Sequence, residues 1–117
     1  MARYELKIRV SGKVSKIAFA SEDELFAKLT DELATQVDDA DNMPLKSPIK
    51  DYEAVELVHS RLEVGIGEGL FKSRHGGIDV RRDGSAEGWI GRSNKTLIES
   101  RPGESLPDAL RRELRPQ

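Results

Sequence analysis

Eight of the chain's ten glycines lie between Gly65 and Gly91, at positions 65, 67, 69, 76, 77, 84, 88 and 91. Glycine inside a helix is unfavourable by roughly 0.5–1 kcal/mol relative to alanine. This part of the chain is therefore expected to be extended or looped. The same stretch holds the only tryptophan, Trp89, one of two histidines, His75, and the cations Lys72, Arg74, Arg81, Arg82 and Arg92. A working surface is expected here before anywhere else.

The rest of the chain must supply a core from little apolar mass. Of 117 residues, 37% are hydrophobic and 34% charged, against about 45–50% (a count that includes glycine) and about 25% in ordinary domains. Aromatic residues are only 5%, so the core should be compact and aliphatic. The length suits one domain spanning 1–117. The absence of cysteine removes disulfides, thiol nucleophiles and thiolate-bound metals, and fits a cytoplasmic location. The N-terminus has no long apolar run, so neither a signal peptide nor a membrane span is expected.

The charge is polarised. From Ile17 to Ser60 there are eleven acidic and three basic residues; from Phe71 to Arg101 there are seven basic and four acidic. One end of such a molecule can meet a charged partner, or the two ends can meet each other.

Tyr4, Leu6, Ile8 and Val10 alternate with Arg3, Glu5, Lys7 and Arg9, which predicts a strand covered on one side. Ser11-Gly12-Lys13 makes a turn, and Val14 to Ala20 is the return strand. Val14 is out of phase with Ile17 and Phe19, which suggests a bulge near Ser15. Ser21 and Glu24 form a capping box. Leu25, Phe26, Leu29, Leu33 and Val37 follow at helical spacing, so a helix is expected over about 22–37. Residues 38–51 hold two prolines and clustered acids and read as a loop or linker. Asp38, Asp39, Asp41 and Asn42 lack the glycine and late glutamate of a calcium loop. Ser47-Pro48 starts a further helix to about Arg61, with strands through Ala54–Val58 and Leu62–Ile66 as the competing reading. Gly65 to Gly77 reads as a loop. Asp83-Gly84 is a two-residue turn pair, giving a hairpin over 78–90 in which Ile78 faces Trp89 and Val80 faces Glu87. Thr96–Glu99 is a short strand. Ser105 caps a last helix with Leu106, Leu110 and Leu114 on one stripe, fraying over 113–117. The fold class is α+β: hairpin, amphipathic helix, second hairpin with a short strand, C-terminal helix. That order resembles the β-grasp arrangement, as an analogy of element order alone.

Three chemistries are weighed on these residues. Gly65 to Ser73 looks like a phosphate loop, but Leu70 and Phe71 separate the glycines from Lys72-Ser73, so lysine and backbone amides do not converge. His59, Glu63, Arg74 and His75 include the acid, base and cations that a metal-independent ribonuclease needs. Lys72, Arg74, His75, Arg81, Arg82 and Arg92, with Lys95, could form a basic RNA or single-strand platform over 72–95 if Trp89 were exposed. No metal or cofactor set is complete. The leading expectation is a small non-catalytic protein-interaction module of the inhibitor, adaptor, immunity or phage-accessory kind, acting through charged surfaces on a protein partner. A homodimer through strand edges is open to it, with Arg3, Lys7 and Arg9 as charges that oppose edge pairing.

Overall fold

The computed structural model describes residues 2–41, 57–68, 72–92 and 94–115, with the side chains of Ala2, Glu68, Lys72 and Ser73 left aside. The elements are β1 (Ala2–Val10), β2 (Lys13–Phe19), α1 (Glu22–Asp39), β3 (Val58–Glu68), β4 (Lys72–Arg81), β5 (Ala86–Ile90), β6 (Thr96–Ile98) and α2 (Leu106–Leu114). The strands form one sheet in the order β2-β1-β3-β4-β5-β6, antiparallel at every pairing. This is an α+β fold. Among the described residues no helix is long and apolar enough to cross a membrane.

The first hairpin closes through Ser11 at φ 50° and Gly12 at φ 79°. Its pairing runs without a shift from Tyr4↔Phe19 to Val10↔Lys13, so the bulge expected near Ser15 does not occur. Val14 instead stands opposite Arg9 on the face away from Leu6, 53% exposed. In α1 the Ser21 hydroxyl accepts from the Glu24 amide at 3.2 Å. The Glu24 carboxylate reaches back to the Ala20 amide at 3.1 Å, one residue before the cap. Leu25, Phe26 and Leu29 are buried, but the stripe then passes to Gln36 and leaves Val37 exposed. At 3.6 residues per turn, Val37 lies about 120° round from Leu25 and Gln36 only about 20°. The helix also includes Asp38 and Asp39, which the sequence placed in the loop.

β3 corrects two expectations. Val58–Arg61, expected as the end of a helix, is strand; residues 42–56, which would hold the rest of that helix, lie outside the described residues. The competing alternation decides the matter. Leu62, Val64 and Ile66 are at most 1% exposed, and β3 pairs with β1 on one side and β4 on the other. A central strand of this length has backbone partners along both edges, which outweighs local helical preference. The expected loop over Gly65–Gly77 is likewise mostly β3 and β4, paired from Glu63↔Gly77 to Glu68↔Lys72.

The β4–β5 hairpin is shifted by one residue from the expected register. Arg81 and Ser85 close it, with Arg81 N–H donating to the Ser85 carbonyl at 2.9 Å and Gly84 N–H to the Arg81 carbonyl at 2.9 Å. The loop is therefore three residues, Arg82-Asp83-Gly84, with Gly84 at φ 87°. The Asp83 carboxylate accepts from the Ser85 amide at 2.9 Å and hydroxyl at 2.6 Å, which favours this turn over the two-residue form. Ile78 then faces Gly88, and Trp89 faces Gly77. A one-residue slip reverses every side chain, so Trp89 leaves the Ile78 face.

The main core lies between the sheet and the two helices. Leu6, Leu25, Leu29, Leu62, Val64, Ile78 and Leu110 are fully buried in it. Two glycines seat α2. A Cβ at Gly76 would stand 2.7 Å from the Trp89 carbonyl oxygen and 2.9 Å from Leu110 Cδ1; one at Gly88 would meet Leu106 Cδ1 at 2.9 Å and Ile98 Cγ1 at 2.7 Å. Ser105 caps α2 by accepting from the Asp108 amide. Arg111 ties α2 to the start of α1 through Glu22 at 3.1 Å and Asp23, and lies over the Phe26 ring. Leu114, inside the stretch expected to fray, is 3% exposed, and its carbonyl accepts from Arg74.

Gly76→Ala should destabilise the domain by about 1–3 kcal/mol, because backbone and not a flexible tip must give way; a urea midpoint equal to wild type would contradict this seating. The loop before α2 is held by Arg112, which donates twice to Glu104 at 3.0 Å. These bonds, with one from the Arg101 amide, lower the Glu104 carboxyl from 4.5 to about 2. A depressed carboxyl contributes stability above its unfolded value and loses it as pH falls through the folded one. Melting temperature should therefore drop between about pH 4.5 and 2, and Glu104→Gln should flatten part of that drop. An unaltered pH profile in the variant would count against the ion pair.

Candidate functional site

The sheet has two unlike faces. One carries Leu6, Val64 and Ile78 toward the helices. On the other, among the described residues, no helix or strand is packed. Strand alternation puts Arg3, Glu5, Lys7 and Arg9 of β1 there, with Lys16 of β2, Arg61, Glu63, Gly65 and Gly67 of β3, His75, Gly77, Asp79 and Arg81 of β4, and Glu87 and Trp89 of β5.

Trp89 is the centre of a second, small cluster on this open face. It is 2% exposed although it faces away from the helices. Its indole lies over Gly77, where a Cβ would stand 2.6 Å from Trp89 Cζ2. The indole N–H donates to Asp79 Oδ1 at 3.1 Å. Asp79, itself 8% exposed, also accepts from Arg61 at 2.7 and 3.0 Å. That carboxylate raises the Arg61 guanidinium above its ordinary value, the hydrogen bond outweighing the opposing effect of burial. Arg61 is 5.4 Å and Lys95 Nζ 4.2 Å from the ring centroid. His75 meets the indole with ring centroids 5.7 Å apart, and its Nδ1 is 3.4 Å from the Gly91 carbonyl oxygen. The tryptophan is thus covered by two cations and an imidazole, and is no open stacking platform.

The ribonuclease candidates are not assembled. Gly65 faces His75 across β3–β4, and His59 is six residues further along β3, roughly 20 Å away at about 3.3 Å per residue. Glu63 is occupied by Arg9 at 3.2 Å and Lys7 at 4.0 Å. Arg74 points to the helix side, toward Leu114.

The basic candidates are also spread out. Arg74 and His75 project to opposite faces. Arg81 pairs with Glu87 at 2.8 Å. Arg82 sits in the hairpin turn, its N–H bonded to the Leu57 carbonyl. Arg92 is exposed beyond the far end of β5, roughly 25 Å from Arg82 along β4 and β5. The side chain of Lys72 lies outside the described residues. Among the described residues no cluster of potential metal ligands occurs.

What the open face does collect is charge on β1 and β2. Arg3, Lys7 and Arg9, expected as edge protection, are not at an edge, because β1 is paired with β2 on one side and β3 on the other. Glu5 pairs with Lys16 at 3.5 Å, and Glu63, Asp79 and Glu87 are engaged by Arg9, Arg61 and Arg81. The acids are thus internally matched, and Arg3 and Lys95 add to them an excess of positive charge. α1 on the opposite layer carries Glu22, Asp23, Glu24, Asp31, Glu32, Asp38 and Asp39 against Lys28 alone. The sequence signal for this face is the alternation in β1 itself.

Comparison with protein-family models, with curated proteins and with solved structures returned no match to this chain.

Asp79→Ala should cost about 2 kcal/mol or more, since it strands both the indole N–H and a half-buried guanidinium. Trp89 emission should shift to the red in that variant. Wild-type stability with unshifted emission would show that the Asp79 bridge does not hold the cluster.

Proposed function

We propose that the chain is a non-catalytic protein-interaction module whose working surface is the helix-free face of the sheet, and whose partner presents an acidic surface to it. The observation that carries this reading is the segregation of charge between layers: matched acids and surplus cations on the open face, acids in excess on α1. Such an arrangement orients an approaching acidic partner and speeds its docking more than it tightens the final complex. It also repels that partner from the unmatched acids of α1. The absence of cysteine suits the cytoplasm as the place of action.

The nucleic-acid alternative shares the cations but lacks the exposed ring on which a base would stack, because Trp89 is covered. The ribonuclease alternative lacks a geometry that joins His59 to His75.

Arg3→Glu combined with Lys16→Glu tests the reading at two exposed positions outside the Trp89 cluster. The tagged chain should retain a stoichiometric protein from its native extract at low salt. Retention should fall about tenfold in the double variant, roughly 1.4 kcal/mol, and should weaken with added salt. Retention indifferent to charge reversal, or recovery of nucleic acid in place of a protein, would refute it.

A further inference from the structure

Most described glycines have a cause inside the fold. Gly12, Gly84, Gly91 and Gly103 have positive φ. Gly76, Gly77 and Gly88 lie under side chains or backbone that a Cβ would strike at 2.6–2.9 Å. Gly65 and Gly67 have neither cause. Their φ is not positive, and among the described residues nothing stands within 4 Å of a Cβ built on Gly65 and only Arg3 Cβ, at 3.9 Å, approaches one on Gly67. Both belong to β3, a central strand, where glycine weakens pairing and any β-branched residue would be favoured. Glycine in a strand interior often marks a site where a ligand or another backbone approaches closely.

The two glycines share the open face and lie two residues apart. They make a bare floor between side chains of β1 and β4: Arg3 and Glu5 on one side, His75 on the other. β1 and β4 are two strand spacings apart, roughly 10 Å. Glu63, held by Arg9 and Lys7, closes one end. The adjacent strand shows what such a floor accepts, since Gly77 seats the flat face of an indole. Arg3 has no ion-pair partner among the described residues and stands beside the floor as a cation for a ring face or an acid.

We infer that the Gly65–Gly67 floor seats one planar aromatic side chain from an acidic, extended segment of the partner protein. The inference rests on the proposed interaction face and names the anchor within it. The ring lies on the peptide planes of β3 between Arg3 and His75. The acids flanking it in the partner meet Arg3 and the net positive charge of the face. A buried aromatic anchor ringed by charge is the common form of an interface hot spot.

The test uses defined probes on the full chain: a glutamate–tyrosine copolymer, polyglutamate of equal length and an oligouridylate. Binding is followed by the amide resonances of Gly65 and Gly67 and by Trp89 emission. The copolymer should bind at least tenfold more tightly than polyglutamate. Gly65→Val, and independently Gly67→Val, should abolish that difference, leave polyglutamate binding unchanged, and leave melting temperature equal or higher. Equal affinity for the two acidic polymers, or a Gly65→Val chain that still prefers the copolymer, would overturn the floor while leaving the charged face standing. Failure to bind either polymer would remove both. A preference for oligouridylate would overturn the protein partner. A melting temperature lowered as far as in Gly77→Ala would show that the glycines are structural after all.

Discussion

Close packing on both sides of β4 is the constraint on which the rest of the structure depends. Gly76 lets Leu110 of α2 lie against the strand on one face, and Gly77 lets the Trp89 indole lie against it on the other. The residues are consecutive, so they point oppositely, and neither space tolerates a Cβ. This pair sets the depth at which α2 docks, and with it the position of Arg111 against the start of α1. It also fixes the single tryptophan outside the main core. A chain with little apolar mass thereby makes two clusters from one strand: an aliphatic core under the helices and a polar cage of Asp79, Arg61, Lys95 and His75 around an indole.

The cage ties together side chains of the open face. A sheet face without a covering layer holds its side chains only by cross-strand contacts, each contributing roughly 0.2–1 kcal/mol. Here the Asp79 carboxylate joins three strands by accepting from Arg61 of β3 and Trp89 of β5 while sitting on β4. Ion pairs to Glu63 and Glu5 continue the connection through β1 to β2. Exposed pairs of this kind add little stability individually. Their effect is to fix which charges of the face are matched and which are not.

Local signals were legible in the sequence and long-range ones were not. The Ser21 cap and the alternation in β1 are carried by neighbouring residues, and both are observed, with Glu24 reaching back to Ala20 and not to Ser21 itself. β3 was ambiguous because Val58–Ile66 fits either a helix end or a strand until its two neighbours are known. The register of the second hairpin turned on whether Asp83-Gly84 forms a two- or a three-residue loop, a difference decided by Ser85 bonding back to Asp83. That one residue moved Trp89 from the Ile78 face of the sheet to the opposite one, where it is still buried, and set it among the basic residues there. The glycine cluster drew notice for its number. Its content lies in the division between glycines with a steric cause and the two, at 65 and 67, without one. Spacing alone could have raised that question, since positions 65 and 67 share a face in any strand, but only the neighbours could answer it.

The proposed docking of a partner on the helix-free face of the sheet is tested by mapping amide and side-chain chemical shifts in the complex with a partner purified from native extract. Changes should concentrate at Arg3, Gly65, Gly67 and His75, with the outer surfaces of α1 and α2 undisturbed. Changes confined to the acidic surface of α1, with the open face silent, would contradict it.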